Sequence, residues 1–308
     1  MRPSNSRGPA FGLSDALMLA AVLMWAVNFS FVKIGLRELS PEAFNGLRLL
    51  LTAAVLLGLL ALSRRRLQGI VPADLWKLAL IGIMGNAVYQ ALFIGAMSRT
   101  TAANTSFILS TSPVFVALLS RLLGIENIPW PTWTGIFISL GGLYLVISRM
   151  NGGIAPGSAG AQGDAMIFAG TILWAGYTVF SKPFLARLSP LQFSAVTVAV
   201  GAAAYFPTTA AEVVRIAWAD VSWRAWSALF LSALFGLVLG YLIWYYSVQR
   251  IGNTRTAVYG NLTPVLTAVF AWWILGERMH MVQIAGAAVI LLGVYLTRAG
   301  ARSLLSRP

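Results

Sequence analysis

An internal duplication constrains this chain more than any other feature. Residues 15–44 match residues 164–193 without a gap at an offset of 149 positions, and twelve of the 30 pairs are identical. Two apolar segments that agree by chance share Ala and Leu, but they do not share rarer residues in one register. The shared rarer residues here are Trp25/Trp174, Lys33/Lys182, Ser40/Ser189 and Pro41/Pro190. The fold is therefore expected to consist of two related halves.

The duplication continues through the later part of each half, where the offset becomes 151 positions. A stretch rich in Gly, Ala and Ser lies between the halves and is typical of a connector. We predict a first repeat at 13–149, a linker at 150–163 and a second repeat at 164–300. The later matches are Pro113/Pro264, Glu126/Glu277, Gly135/Gly286, Gly142/Gly293 and Tyr144/Tyr295.

The composition indicates a membrane protein. Hydrophobic residues make up 58% of the chain and charged residues only 10%, whereas soluble domains carry about 25% charged residues. The formal net charge of +13 does not indicate nucleic-acid binding, because the basic residues are scattered between apolar runs. Without cysteine, and with His280 as the single histidine, the chain is expected to hold no metal and no cofactor.

The apolar runs predict ten transmembrane helices, since about 20 helical residues cross the hydrocarbon core. The fold class is therefore an all-α polytopic membrane protein, with the lipid bilayer as its main partner and a single copy as the expected state. The predicted spans are 13–35, 42–62, 74–97, 102–122, 130–148, 164–186, 190–210, 224–248, 254–275 and 279–299.

Five spans in each half make the second repeat inverted, because an odd number of crossings reverses the direction of the next copy. Inverted repeats are typical of secondary transporters, which bind substrate near mid-membrane between the halves. A cytoplasmic N-terminus places 14 of the 22 Lys and Arg residues on the cytoplasmic side, including Arg64, Arg65 and Arg66. This excess predicts that both termini are cytoplasmic.

Aromatic and amide residues inside the spans are the first candidates for a substrate site. Trp25 and Asn28 are one helical turn apart, as are Trp174 and Tyr177, and Tyr241 and Trp244. Such faces avoid lipid and favour the bundle interior or a wet cavity. Hydrogen bonding between helices is the simpler alternative. Tyr89 is placed in the same candidate cavity.

Paired prolines give the second signal. Pro113 and Pro264 lie near the middle of equivalent spans, and each frees a backbone carbonyl one turn earlier. Paired helix interruptions mark the binding site in many transporters, although a plain kink is the alternative. The polar residues expected beside the freed carbonyls are Ser110, Thr111, Tyr259 and Asn261.

Charged residues divide into two groups. Lys33 and Lys182 lie two turns beyond their tryptophans and either extend to the interface or attract an anion. Arg48 is deeper and is predicted to hold carbonyls or an anionic substrate. All nine acidic residues fall at span ends or in loops, so we expect transport that does not depend on a membrane-embedded carboxylate exchanging protons.

These residues resemble a known family. Trp25-Ala26-Val27-Asn28-Phe29, Arg48, Ser112-Pro113 and Gly276-Glu277-Arg278 are similar to motifs of the EamA branch of the drug/metabolite transporter superfamily. The second half departs from the first motif, because Tyr177 stands where Asn28 is expected. The resemblance implies export of small metabolites, often amino acids, across the bacterial inner membrane through a central cavity. The mid-membrane Trp and Tyr residues are similar to those of YddG-type exporters of aromatic and other apolar amino acids.

The sequence therefore predicts a non-enzymatic exporter that works by alternating access. Carriers of nucleotide-sugars, sugar phosphates or drugs are alternatives within the same class, and a non-transporting membrane scaffold is a weaker one. An intramembrane enzyme is disfavoured, since the chain has no histidine cluster, no cysteine and no paired carboxylates within a span.

Overall fold

The computed structural model describes residues 12–63, 69–147, 159–275 and 281–300, and every regular element in these residues is helical. We number the helical segments α1 to α10; α4 and α9 each consist of two parts. Their bounds are α1 Leu13–Gly35, α2 Pro41–Leu62, α3 Pro72–Arg99, α4 Ala102–Leu109 and Ser112–Leu122, α5 Trp130–Ile147, α6 Ala159–Leu185, α7 Pro190–Val213, α8 Trp223–Ile251, α9 Asn253–Tyr259 and Thr263–Leu275, and α10 Met281–Gly300.

Seven helices of the described residues are long and apolar enough to cross a membrane: α1, α2, α3, α6, α7, α8 and the stretch Asn104–Leu122 of α4. The observed ends of these helices lie within a few residues of the predicted spans, except that α6 begins at Ala159 rather than 164. Ala159 and Ala161 favour helix, so the helix extends back into the predicted linker. The membrane crossing of α5, α9 and α10 stays a prediction.

The repeated Ser-Pro pair starts a helix in both halves. Ser40 caps α2 by accepting a hydrogen bond from the backbone N of Ala43, and Pro41 follows at the first helical position. Ser189 caps α7 in the same way through the backbone N of Gln192. A hydroxyl at the cap satisfies an unpaired amide, and proline fits the first turn because it lacks one.

The two halves share interruptions that the sequence indicated only in part. Helix α4 breaks at Ser110 and Thr111, and α9 passes through a 3₁₀ turn at Gly260–Leu262 before Pro264. In addition, α3 and α8 contain π-helical turns at Ile83–Val88 and Ser232–Leu239. These π turns were not predicted. Tyr89, a residue of the site wall, directly follows the first π turn, and Gly236 and Leu237 of the wall lie within the second.

Helices α5 and α10 form a close antiparallel pair through glycine. A Cβ atom on Gly135 would come within 2.6 Å of the Gly293 carbonyl oxygen, and one on Gly142 within 2.7 Å of that of Gly286. Only glycine allows backbones to approach so closely. Gly135 and Gly142 are the duplicates of Gly286 and Gly293, so each copy packs against the other in an exchanged order.

Thr100 shows how the duplicated helices α1 and α6 are directed. Its carbonyl oxygen accepts a hydrogen bond from Lys33 Nζ near the C-terminal end of α1, at 2.6 Å. Its hydroxyl donates to Asp164 Oδ1 near the N-terminal end of α6, at 2.8 Å. The end of α1 and the beginning of α6 therefore lie together, and the two helices run in opposite directions.

Some sequence features lie outside the described residues. The basic run Arg64 to Arg66, residues 150–158 of the predicted linker, the Gly276-Glu277-Arg278 motif and His280 belong to this group.

Candidate functional site

A cavity of about 70 Å³ lies between helices of both halves. Eight of the predicted site residues line it: Trp25, Asn28, Arg48, Tyr89, Ser110, Trp174, Tyr241 and Trp244. The rest of the wall comes from Phe29, Gln90, Phe93, Ser106, Leu109, Ser112, Gly236, Leu237, Gly260 and Thr263. Helices α1, α2, α3 and α4 of the first half and α6, α8 and α9 of the second half thus contribute to one site.

Trp174 is the centre of an aromatic cluster. Its ring centroid lies 5.2 Å from that of Tyr89, 5.3 Å from that of Trp244 and 5.7 Å from that of Tyr241. It also meets the Trp25 ring edge-on at 6.2 Å. Aromatic pairs at these separations attract each other by about 0.5–1.5 kcal/mol beyond the burial of area. The cluster therefore joins α1, α3, α6 and α8 across the centre of the bundle.

Two indole N–H groups set the orientation of the tryptophans. Trp25 Nε1 donates to the carbonyl oxygen of Gly236 at 3.0 Å, and Trp244 Nε1 donates to Thr178 Oγ1 at 3.2 Å. Gly236 and Gly240 lie against Asn28 and Trp25 respectively, where any side chain would collide.

A polar layer lies behind the aromatic wall. Asn86 Nδ2 donates to the Tyr177 hydroxyl at 2.9 Å, and this hydroxyl is also 2.8 Å from Thr197 Oγ1. Gln90 Nε2 donates to the Tyr241 hydroxyl at 2.8 Å, which links positions 151 residues apart. Buried hydroxyls and amides are stable only when they are paired, so this layer fixes the rings in front of it.

Arg48 is the charged group of the cavity. Its side chain is 1% exposed. Nη2 donates to Asn45 Oδ1 at 2.8 Å and to Gln90 Oε1 at 2.6 Å, while Nη1 donates to Ser232 Oγ at 3.2 Å. The guanidinium also lies 5.7 Å from the Phe44 ring and 5.8 Å from the Phe93 ring. All three hydrogen-bond partners are neutral.

Eight of the predicted residues do not line this cavity: Lys33, Thr111, Pro113, Tyr177, Lys182, Tyr259, Asn261 and Pro264. The Thr111 hydroxyl donates to the carbonyl of Ile108 in its own helix, and Tyr177 is fully buried behind Trp174. Tyr259 donates its hydroxyl to Asp15 Oδ1 at the start of α1. Asn261 is buried in the 3₁₀ turn of α9, and neither polar atom of its side chain has a hydrogen-bond partner in the part of the chain that the structure describes.

Lys33 and Lys182 hold helix ends rather than the cavity. Lys33 Nζ donates to the Met97 carbonyl at 2.5 Å as well as to Thr100, at the end of α3. Lys182 Nζ donates to the Val248 carbonyl at 2.6 Å, near the end of α8. A cation at a helix C-terminus satisfies free carbonyls and complements the helix dipole. Each lysine therefore fixes an equivalent helix of its own half.

Some of the cavity-lining residues missed by the sequence analysis lie at or near the helix interruptions. Ser106, Leu237 and Gly260 are three of these residues. The paired prolines were the available signal for Ser106 and Gly260. Nothing in the residue types of Ile83–Val88 or Ser232–Leu239 indicated a π turn.

The cavity is contracted relative to the size of an aromatic molecule. Its volume of about 70 Å³ is roughly half of the ~150 Å³ that accommodates a benzene molecule. An aromatic molecule would fit only if the rings around Trp174 moved apart. Among the residues that line the cavity none is acidic, so the arrangement offers an apolar wall, a few hydrogen-bonding groups and one cation.

Helices of membrane-spanning length, a duplicated sequence and a site between the copies define a polytopic membrane transporter. The model of the EamA-like transporter family matches residues 12–148 and again 161–299. The chain therefore belongs to the EamA-like transporter family, within the drug/metabolite transporter superfamily, and the resemblance drawn from its motifs is confirmed.

Relatives of this chain are transporters. An uncharacterized transporter of Archaeoglobus fulgidus is 31% identical, over 92% of this chain and 96% of the relative. The uncharacterized transporter YyaM of Bacillus subtilis is 28% identical over 92% of both chains. A probable amino-acid metabolite efflux pump of Salmonella typhimurium is 25% identical, over 93% of this chain and 95% of the pump.

The fold is also found in a solved crystal structure. That structure matches with a TM-score of 0.73 at 18% sequence identity, and the match covers 95% of this chain and 99% of the other. At this level of identity the match supports the fold alone.

Proposed function

We propose that this transporter exports aromatic and other apolar amino acids across the bacterial inner membrane. The cluster of Trp25, Tyr89, Trp174, Tyr241 and Trp244 in the central cavity carries this proposal. Flat aromatic walls favour aromatic and apolar side chains. The similarity to a probable amino-acid metabolite efflux pump supports the same substrate class.

We further propose that ten helices form two inverted repeats, 13–149 and 164–300, which a linker at 150–163 joins. Transport proceeds by alternating access in a monomer with both termini in the cytoplasm. The opposite directions of α1 and α6 and the exchanged glycine contacts of α5 and α10 support the inversion. The contracted cavity supports a cycle in which the rings separate to admit substrate.

We also propose roles for the individual residues, and the lining of the cavity supports the roles of those that lie in it. Trp25, Tyr89, Trp174, Tyr241 and Trp244 contact the apolar part of the substrate, backed by Tyr177. The polar groups that meet its head are Asn28, Arg48 and Ser110, while Thr111, Tyr259 and Asn261 beside the helix breaks at Pro113 and Pro264 reach it in other states of the cycle.

A flux screen tests the substrate class. Purified protein in proteoliposomes is loaded with each of the twenty amino acids in turn, and efflux is measured with and without a pH gradient. We expect saturable flux of Phe, Trp, Tyr and large aliphatic amino acids in both conditions. Flux of sugar phosphates, or of drugs, that amino acids do not compete for would favour the alternative carriers, and the absence of any saturable flux would favour a scaffold.

Single cysteines test the topology, because the natural chain has none. Arg37 and Ala186 are exposed and occupy equivalent positions, 149 residues apart, after α1 and α6. Cysteines introduced as Arg37→Cys and Ala186→Cys should react with a membrane-impermeant reagent from opposite sides. Labelling of both positions from the same side would refute the inverted arrangement.

A further inference from the structure

Two buried polar atoms that have no hydrogen-bond partner among the described residues belong to residues that line the same cavity. They are Nε of Arg48, a donor, and Oδ1 of Asn28, an acceptor. Buried polar atoms are normally paired. We propose that these two residues bind the charged head of the substrate: Arg48 binds a carboxylate, and Asn28 accepts a hydrogen bond from an ammonium group. This inference rests on the proposed function.

Arg48 carries a charge that the described residues leave unbalanced. Its three hydrogen-bond partners are neutral, and no acidic residue lines the cavity. A buried cation without an anion is costly, and a carboxylate is the ligand that matches the planar guanidinium. A cavity with one cation and no acid therefore favours solutes that carry a carboxylate and disfavours amines that lack one.

Helix α8 contacts both groups. Arg48 Nη1 lies 3.2 Å from Ser232 Oγ, and a Cβ atom on Gly236 would come within 2.8 Å of Asn28 Oδ1. Ser232 and Gly236 are four residues apart and lie on the same side of the helix, about one turn from each other. The two groups therefore lie near each other along one face of α8, where the two ends of a single α-amino acid head can contact both.

The aromatic cluster begins directly beside this pair of groups. Trp25 is one turn from Asn28 on α1 and donates to Gly236, while Gln90 connects Arg48 to the Tyr241 hydroxyl. A solute whose head lies between Arg48 and Asn28 therefore directs its side chain towards Trp174. The site then recognises a carboxylate and an aromatic ring in one molecule.

Three solutes with the same ring and different heads test this assignment. Phenylalanine carries both charges, 3-phenylpropanoate carries the carboxylate alone, and phenethylamine carries the ammonium alone. Each competes with labelled substrate for transport by the full-length protein in proteoliposomes. For the wild type we expect phenylalanine to compete best, 3-phenylpropanoate about tenfold less well and phenethylamine at least a hundredfold less well.

Substitutions assign the preference to its residues. Arg48→Gln should weaken competition by phenylalanine and 3-phenylpropanoate at least tenfold and leave competition by phenethylamine unchanged. Arg48→Lys should keep the order in which the three solutes compete. Asn28→Leu should make phenylalanine compete no better than 3-phenylpropanoate. Arg99→Gln is the matched control, because Arg99 is exposed and donates to Gly95 in its own helix.

The outcomes separate this inference from the proposed function. If wild-type protein transports amino acids but phenethylamine competes as well as phenylalanine, the head site is refuted and the proposed function stands. An equal loss for all three solutes in Arg48→Gln also refutes it, because a purely structural arginine would act in that way. If Arg48→Gln does not fold, the order of the three solutes on the wild type decides. If the wild type transports no amino acid, the proposed function itself fails.

Discussion

The two copies of the duplicated helix, α1 and α6, differ where they face the cavity. Trp25 and Trp174 both join the aromatic cluster, and Lys33 and Lys182 both hold the end of another helix. Three residues after each tryptophan the copies diverge. Asn28 lines the cavity, whereas Tyr177 is buried behind it and bonded to Asn86 and Thr197.

This difference separates the residues that hold the fold together from the residues that contact the solute. Four of the identical pairs have structural roles: Ser40/Ser189 and Pro41/Pro190 start helices, Lys33/Lys182 hold helix ends, and Trp25/Trp174 form the aromatic centre. The residues that differ determine which half contacts the polar head of a solute. An asymmetric solute requires such divergence, because two identical walls would present the same groups to both of its ends.

The largest expected effect comes from Trp174→Ala, compared with Trp25→Ala. Trp174 meets five aromatic rings and Trp25 meets two, so the α6 copy should matter more. Loss of one ring contact with a substrate is worth about 1 kcal/mol, and we expect Trp174→Ala to reduce flux of aromatic amino acids roughly fivefold relative to leucine. Proteoliposome flux measures this ratio.

Trp130→Ala is the control for that comparison, since Trp130 is 78% exposed and lies outside the cavity. Membrane insertion should be normal in all three variants. If the Trp174→Ala protein had wild-type flux for every amino acid, Trp174 would not be a substrate-contacting residue.

Asn28→Leu and Tyr177→Phe change equivalent positions of the two copies and should have different effects, the first on selectivity and the second on stability. Tyr177→Phe strands Asn86 Nδ2 and removes the bond to Thr197, which costs about 1–3 kcal/mol of stability, but it should leave the order of substrates unchanged. Asn28→Leu should change the order of substrates with little loss of stability, because its Oδ1 has no partner to lose. Thermal unfolding in detergent and competition for flux measure the two effects. A Tyr177→Phe protein with altered selectivity would contradict the assignment.

Much of the fold could be read from the sequence because hydrophobic length and register are local properties. The Ser-Pro caps, the span limits and the interruptions before Pro113 and Pro264 all follow from single residues or short runs. The cavity residues could be predicted for a similar reason, since a Trp or Arg within a span has few stable places other than the bundle interior.

The remaining features depend on contacts between distant parts of the chain. The π turn at Ser232–Leu239 leaves the Gly236 carbonyl to accept from Trp25, a relation that neither segment reveals alone. The Tyr259 hydroxyl donates to Asp15 of α1, and no local pattern joins residues 244 positions apart. The lysines likewise find their carbonyl partners only in the folded bundle.

Lys33→Met and Lys182→Met test whether the two lysines stabilise a helix end in the same way in both copies. Hydrogen bonds to charged groups contribute about 1.5–3 kcal/mol, and the partial exposure of both lysines lowers this to about 1 kcal/mol each. Lys33 should cost more, since it bonds two carbonyls and Lys182 bonds one. The melting temperature in detergent measures the loss, with Lys77→Met on the exposed side of α3 as the control. Equal melting temperatures for Lys33→Met and the control would contradict the helix-end role.

The smallest effect is expected at the loops after α1 and α6, where equivalent positions carry opposite charges. Glu38 accepts hydrogen bonds of 2.7 Å from the backbone N and Oγ of Ser222 before α8, whereas Arg187 forms a 2.6 Å ion pair with Asp74 at the start of α3. The bonds from Ser222 lower the pKa of Glu38 from its ordinary value of 4.5. Glu38 therefore stabilises the fold above about pH 4.5, and the contribution disappears as pH falls through the lowered pKa.

The difference in melting temperature between wild type and Glu38→Gln should accordingly be constant near neutral pH and vanish in acid. For Arg187→Gln the difference should instead shrink when salt is added, because screening weakens an exposed ion pair. Glu38→Asp is the control that keeps the charge and shortens the reach. If the Glu38→Gln difference persisted unchanged in acid, the carboxylate would not be the group that holds the start of α8, and the two loops would differ in sequence without differing in how they fix the neighbouring helix.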